Sequence, residues 1–166
     1  RAASSRVVEM ASLEDTMQSS PDEGVHDPIF SSWGEGGFGE VWMNDEVSHA
    51  YPLFFRMRGV MDEFRRALVA REKKGKTAQT RLYRRYYAQM ARELLLFQAS
   101  DWAFMIHNKS AADYARFREN THYRNVCALY AAAMTGLAMG RKKPDTSLLN
   151  KLENQDNIFP WIGELL

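Results

Sequence analysis

The sequence has a single cysteine, no long apolar run and no excess of charge. Cys127 is alone among 166 residues, which excludes an internal disulfide framework and favours a reducing, cytoplasmic compartment. No apolar stretch approaches the about 20 residues that a membrane-spanning helix needs. Lys and Arg number 22 against 21 Asp and Glu, so the formal net charge of +1 gives no bulk reason to expect nucleic acid or membrane as a partner.

Residues typical of metal centres and covalent catalysis are scattered. The four histidines, His26, His49, His107 and His122, lie far apart in the sequence, and His122 and Cys127 lack the spacing that shares a helix face. The chain has no G-x-S-x-G motif, and Cys127 falls within an apolar stripe that indicates a core position. We therefore predict no metal site and no cofactor in this chain, and nothing in the sequence identifies an acid/base pair.

Residues 31–42, SSWGEGGFGEVW, combine four glycines with two tryptophans. Glycine permits positive φ without steric cost, so this composition predicts a shaped loop rather than a helix or strand. Trp33 and Trp42 are broad, apolar rings, and we interpret them as a stacking surface of the kind that sugars and bases use. The alternative, that both rings fill the core beneath the loop, stays open.

The same segment matches G-x-G-x-x-G-x-V, the pattern of the kinase glycine loop and of the looser dinucleotide fingerprint. A kinase also needs V-A-I-K, H-R-D and D-F-G, which the sequence lacks. A dinucleotide fold needs an apolar strand before the first glycine, where only Ile29 and Phe30 stand. Glu35 and Glu40 would also repel phosphate, with no lysine nearby. We therefore reject both interpretations.

The spacing of apolar residues predicts a mainly α-helical fold. The predicted elements are a short strand over residues 6–10, a short helix from Ser12 to about Gln18, helices over residues 44–71, 80–99 and 110–139, and a short helix after Asp145. Ser100 and Asp101 fit a helix end or a new helix start, with Trp102 in the core as the simplest interpretation. The apolar tail over residues 156–162 is expected to dock on the surface.

Arginines alternate with tyrosines in the second long helix, at Arg81, Arg84 and Arg85. This pattern admits nucleic-acid binding, but an aromatic core face with a solvated arginine face explains it more simply. A lone strand cannot form a sheet, the chain begins with Arg1 rather than Met, and it has no signal-peptide pattern. We therefore expect it to be part of a longer polypeptide.

Three motifs together resemble the C-terminal region of family 57 glycoside hydrolases of the 1,4-α-glucan branching-enzyme type. The first is SWGEGG at residues 32–37, followed by VWMN at 41–44. The second, RELLLFQASDWAF at 92–104, is similar to R-E-x-x-L-x-Q-x-S-D-W-x-F, and the third is DNIFP at 156–160. Order and spacing agree from about residue 6 to the end. Amylases and glucanotransferases share parts of the pattern, so the subfamily stays open.

The resemblance implies a distorted (β/α)7 barrel whose catalytic Glu and Asp lie upstream of this chain. Such an enzyme transfers an α-1,4-glucan segment to a 6-hydroxyl with retention, as in glycogen biosynthesis. Residues 1–30 would then be the end of the barrel, 31–45 a substrate-cleft loop and 46–166 the C-terminal helical domain. The implied partners are amylose or a glycogen-like polysaccharide and the upstream catalytic barrel of the same polypeptide.

The resemblance also implies a set of substrate-binding residues, namely Trp33, Gly34, Trp42, Ser100, Asp101 and Trp102. The two loop tryptophans would stack on glucose rings and keep water out, which favours transfer over hydrolysis. Asp101 would accept a hydrogen bond from a sugar hydroxyl. The alternative is a helical carbohydrate-binding or protein-interaction module without chemistry of its own.

Overall fold

A computed structural model describes residues 10–19, 27–75, 77–139 and 144–164. Every regular element in these residues is helical, which confirms the predicted fold class. The elements are α1 (Leu13–Ser19), α2 (Ala50–Glu72), α3 (Ala78–Phe97), α4 (Ser100–His107), α5 (Ala112–Met139), α6 (Ser147–Gln155) and a 3-10 turn (Ile162–Glu164). The strand predicted over residues 6–10 falls outside the described residues except for Met10, which is not in a strand. No helix in these ranges combines the length and apolarity needed to cross a membrane.

The chain divides into two compact units, Arg1–Ser31 and Ser32–Leu166. In the first unit, Ser12 and Asp15 form the predicted capping box at the start of α1. The Ser12 hydroxyl accepts from the Asp15 N–H at 3.1 Å, and Asp15 Oδ2 accepts from the Ser12 N–H at 3.3 Å. Hydrogen bonds from the Ser12 side chain and backbone lower the pKa of the Asp15 carboxyl below its ordinary 3.8.

Helix α3 is the centre of the second unit, because it packs against α2, α5, α6 and the 3-10 turn. Its Tyr83 and Tyr86 are fully buried, and the Tyr86 hydroxyl donates to the Asp145 carbonyl at 2.6 Å. Fully buried apolar side chains from α2, α3 and α5 surround them, among them Met57, Phe64, Met90, Val126 and Leu129. The tyrosines of this helix therefore serve the core.

Two arginines of α3, Arg84 and Arg85, bind neighbouring helices. Arg84 pairs with Glu72 of α2, and Arg85 pairs with Glu153 of α6. Hydrogen bonds from these carboxylates raise the pKa of both guanidinium groups. The buried tyrosines and these pairs favour an aromatic core face over nucleic-acid binding, although Arg84 and Arg85 are paired with neighbouring helices rather than only solvated.

One helix start differs from the sequence prediction, and another decides between the two alternatives left open at Ser100 and Asp101. Helix α2 begins at Ala50 rather than at Asn44, whose Oδ1 instead accepts from the N–H groups of Glu46 and Val47 in a preceding turn, at 2.9 and 3.3 Å. Residues 100–105 are the start of a separate helix, α4. The extended ψ of 124° at Ala99 interrupts the helical path after α3 and lets a new helix begin at Ser100.

The C-terminal tail docks on α3, as predicted. Arg92, which is 7% exposed, donates from Nε to the Ile158 carbonyl at 2.8 Å and from Nη2 to the Pro160 carbonyl at 3.3 Å. Beyond these residues, Ile162 joins the main core. Residues 158–160 lie outside any helix, so their carbonyls have no intrahelical hydrogen-bond partner, and the Arg92 guanidinium supplies donors to them.

A smaller core holds α4 in place. Val47, Ile106 and Ala115 are buried together, with Trp102 and its neighbours packed against them. Helix α4 packs on α5 through this cluster. The glycine-rich loop and the start of α4 are thereby brought to the same end of the domain.

Candidate functional site

The glycine-rich segment folds into a tight loop, as predicted. Gly34, Gly37 and Gly39 have φ of 84°, 85° and 90°. At Gly34 a Cβ would also lie 3.0 Å from Cγ2 of Val41. A larger residue there would therefore be strained both by the positive φ and by this close contact. Ser32 closes the loop, because its N–H donates to the Gly37 carbonyl and its hydroxyl accepts from the Gly39 N–H, both at 2.6 Å.

Trp33 projects from this loop and is 70% exposed. Its ring centroid lies 6.5 Å from that of Trp42 and 5.6 Å from that of Phe104 on α4, with tilted planes. These two neighbours support the ring while most of it stays in solvent. The core-filling alternative is therefore wrong for Trp33, and the residue that this loop buries is Val41, at 3% exposure.

Trp42 ties the loop to the first residue of α4. Its ring is half-buried, and its Nε1 donates to the Ser100 carbonyl at 3.2 Å. A pocket of ≈ 360 Å³ opens beside Trp33, and Gly34, Glu35 and His107 are among its lining residues. Four of the six predicted site residues therefore lie close together in the structure, namely Trp33, Gly34, Trp42 and Ser100.

The other two predicted residues, Asp101 and Trp102, have separate surroundings. Asp101 is exposed, and within the described ranges it makes no side-chain hydrogen bond or ion pair. Trp102 faces α5, where its ring meets Tyr114 edge-on at 6.2 Å and the Arg118 guanidinium at 5.8 Å. Its Nε1 donates to the Leu96 carbonyl at 2.7 Å. Trp102 therefore packs in the smaller core rather than with Trp33, in line with the simplest sequence interpretation.

A glutamate–histidine pair borders the Trp33 pocket. Nε2 of His107, in the last turn of α4, lies 2.6 Å from Oε2 of Glu35 in the loop. The Glu35 side chain is 63% exposed, so the pair contributes little net stability. Its geometric effect is to fasten the glycine-rich loop to α4 at a second point besides Trp42. Sequence analysis did not single out His107, which stands far from Glu35 in the chain.

A second pair, His122 and Glu93, lies in the core with both side chains fully buried. Nδ1 of His122 is 2.8 Å from Oε2 of Glu93. Arg118 donates to Nε2 of His122 at 3.0 Å, so Nε2 is the acceptor and Nδ1 carries the proton. Asn125 and Gln89 each donate to Glu93 at 3.0 Å. Three donors therefore satisfy this buried carboxylate.

Asp156 brings a further carboxyl to this cluster, and one donor atom each from Glu93, His122 and Asp156 lies within 4.8 Å of the others. Such a set could hold a cation, but the Nδ1 proton of His122 already points to Glu93, so that nitrogen has no free lone pair. Burial and the Glu93 carboxylate raise the pKa of Asp156. A proton on its buried Oδ2, which has no partner among the described residues, can be donated to Glu93. The geometry fits a hydrogen-bonded cluster.

The helical fold resembles the C-terminal domain of family 57 branching enzymes. Crystal structures of GH57-type branching enzymes from the archaea Thermococcus kodakaraensis and Pyrococcus horikoshii both match 95% of this chain with a TM-score of 0.77. Sequence identity is 30% and 27%, and the match covers 27% and 28% of those chains. The first structure was determined in complex with glucose and additives.

The profile of the family described as "1,4-alpha-glucan branching enzyme, C-terminal" matches residues 61–165, and the chain belongs to this family. It is 32% identical over 139 residues to the 1,4-alpha-glucan branching enzyme of Thermococcus kodakarensis, covering 80% of this chain and 19% of that protein. It is 33% identical over 168 residues to the "Probable 1,4-alpha-glucan branching enzyme" of Mycobacterium tuberculosis, covering 96% and 29%. The chain thus spans less than a third of these relatives, and the predicted family is confirmed.

Proposed function

We propose that this chain is the substrate-cleft part of a 1,4-α-glucan branching enzyme, whose catalytic carboxylates lie elsewhere in the same polypeptide. The observation that carries this proposal is the exposed ring of Trp33, supported by Trp42 and Phe104. A large aromatic ring held rigidly in solvent is typical of a binding surface. The relatives, named as 1,4-alpha-glucan branching enzymes, point to an α-1,4-glucan as the ligand.

In this proposal the loop residues form the stacking wall of the cleft. Trp33 stacks on a glucose ring through its open face, and Trp42 flanks it from the α4 side. Gly34 keeps the pocket beside Trp33 free of a side chain. Apolar walls at this position exclude water from a glycosyl-enzyme intermediate, so transfer to a sugar hydroxyl is favoured over hydrolysis.

The start of α4 completes the proposed site. Asp101 is exposed and accepts a hydrogen bond from a sugar hydroxyl. Ser100 holds Trp42 through its backbone carbonyl at 3.2 Å. Trp102 acts as a positioning residue, because its packing in the smaller core fixes the first turn of this helix.

The test is the Trp33→Ala variant of the full-length enzyme, assayed for branching of amylose. We expect transfer to fall about tenfold, which corresponds to about 1.4 kcal/mol, while the melting temperature changes little because the ring is mostly exposed. The matched control is Trp161→Ala, an equally large truncation of a ring that is 50% exposed on the C-terminal tail.

Unchanged branching by Trp33→Ala would contradict the role assigned to this loop. An equal loss of activity in both tryptophan variants would also contradict it, because the effect would then not be specific to the cleft. Loss of transfer in Trp33→Ala alone, with hydrolysis of the donor glucan retained, is the expected result.

A further inference from the structure

Helix α4 meets the glycine-rich loop at three residues, Ser100, Phe104 and His107. Their spacing of i, i+4 and i+7 places them along one side of a helix. Each contacts one residue of the loop, in the order Trp42, Trp33 and Glu35. The third of these contacts is the one that joins two polar side chains, and the proposed function does not use it.

Glu35 occupies the tip of the loop. The Gly37 N–H donates to the Gly34 carbonyl at 3.1 Å, which makes residues 34–37 a four-residue turn with Glu35 at its second position. This turn follows Trp33 directly in the chain. A displacement of the Glu35 side chain therefore moves the backbone next to the exposed tryptophan ring.

His107 is held on its other side by Asn44. Oδ1 of Asn44 accepts from the Glu46 N–H at 2.9 Å, so Nδ2 is the donor end of this amide, and it donates to the Glu40 carbonyl at 2.7 Å. The same Nδ2 lies 3.4 Å from Nδ1 of His107. Nε2 of the ring faces a carboxylate oxygen of Glu35, which accepts, so Nε2 carries a proton. Contacts on both sides thus fix the ring.

The pair lies where it adds little to the stability of the fold. The side chains of His107 and Glu35 are 24% and 63% exposed, and exposed pairs of this kind contribute little free energy. Both residues line the pocket beside Trp33. A contact with defined geometry and small energetic value at the edge of a pocket acts on position rather than on stability.

We propose that His107 is a positioning residue of the branching reaction, which acts through Glu35 to hold Trp33 at the angle at which its ring stacks on the glucan. The proposal rests on the proposed function, because it takes Trp33 as the ring that contacts the sugar. Without the link, Phe104 and Trp42 still support the ring, but the turn beside it is free to move. A ring that covers the glycosyl-enzyme less completely admits water, so hydrolysis gains over transfer.

The test measures the ratio of transfer to hydrolysis on amylose, together with the melting temperature, in variants of the full-length enzyme. His107→Ala removes the link to the loop. His107→Gln keeps a donor for Glu35, because its side-chain amide extends to the position of the ring Nε2. The matched control is Arg85→Ala, which breaks a partly exposed ion pair with Glu153 outside the pocket.

We expect the ratio to fall about fivefold in His107→Ala, to recover in His107→Gln and to stay unchanged in Arg85→Ala. The melting temperature of His107→Ala should stay close to that of the unmodified enzyme. The double variant His107→Ala/Glu35→Ala should show the same ratio as either single variant, because all three lack the same link.

An unchanged ratio in His107→Ala would overturn the proposal, and a reduced ratio in Trp33→Ala would then leave the proposed function intact. Additive losses in the double variant would also overturn it, because His107 would then act other than through Glu35. A ratio that stays low in His107→Gln would have the same meaning. If His107→Ala lowers the ratio while Trp33→Ala does not, both the proposal and the proposed function of the loop fail.

Discussion

His122 donates from Nδ1 to Oε2 of Glu93 across 2.8 Å, and neither side chain has any solvent exposure. An arginine of α5, Arg118, donates to the far nitrogen of the His122 ring and so decides that Nδ1 carries the proton. A second histidine–glutamate pair, His49 and Glu119, lies 2.9 Å apart, but Nδ1 of His49 is close to both Arg116 and the Glu46 carbonyl, at 3.3 and 3.2 Å. Helix α5 therefore contributes to both histidine–glutamate pairs.

Removing His122 should destabilise the domain strongly. In His122→Ala, Glu93 loses a charge-assisted hydrogen bond at a fully buried position, and a cavity is left in place of the ring. We expect the free energy of unfolding to fall by about 3 kcal/mol, measured by urea titration. Lys109→Ala is the control, because that side chain makes only an exposed contact of 3.9 Å with Glu46. Equal stability of the two variants would contradict the role of the buried pair.

Asp156 should make stability depend on pH. Burial and the Glu93 carboxylate raise its pKa above 3.8, while neighbouring His122 and Arg118 act in the opposite direction. The folded state then holds the proton more tightly than the unfolded state. The stability that this proton contributes to the folded state is complete below pH 3.8, the ordinary pKa. It is lost as the pH rises through the higher pKa that Asp156 has in the folded state.

The variant Asp156→Asn does not titrate, and its amide can donate to Glu93 at every pH. We therefore expect the free energy of unfolding of Asp156→Asn at pH 7 to be higher than that of the unmodified chain by about 1 kcal/mol, the size of one hydrogen bond. Near pH 3 the two free energies of unfolding should be equal. Urea titrations of both proteins across this range measure the difference. A difference that does not vary with pH would show that Asp156 does not hold the proton.

Two glycine substitutions should have opposite effects on stability. Gly34→Ala places a Cβ at a φ of 84° and 3.0 Å from Val41, so we expect a loss of about 1–2 kcal/mol. Gly59→Ala lies in the exposed middle of α2, where a Cβ meets nothing within 4 Å, and should add about 0.5–1 kcal/mol. Thermal unfolding compares the two, and a gain of stability in Gly34→Ala would contradict the loop conformation described above.

The long helices could be predicted because burial recurs with helical spacing. Met57, Met61, Phe64 and Leu68 are buried on one face of α2, at the three- and four-residue intervals on which the prediction depended. The separate start of α4 was harder to predict. It depends on the extended backbone of Ala99, a residue whose own propensity favours continuing a helix.

The polar contacts of the site could not be predicted from sequence. Glu93 and His122 are 29 positions apart, and His49 and Glu119 are 70 apart, so each pair exists only because packed helices bring its members together. The exposure of Trp33 likewise depends on support from Phe104 on another element. Composition indicates that such a loop is shaped, but only the tertiary structure decides which of its large residues is buried.

The contact of Arg92 with the tail sets an order of events during synthesis. The Ile158 carbonyl that it binds leaves the ribosome 66 residues later than Arg92 itself. Until then the Arg92 guanidinium lacks its tail carbonyl acceptors and the neighbouring Glu93 lacks Asp156. The apolar residues of α3 are already present and can pack. A nascent chain can therefore collapse early but completes this polar core only after residues 156–160 have been synthesised. Products interrupted before residue 156 would retain an open core that quality-control proteases can recognise.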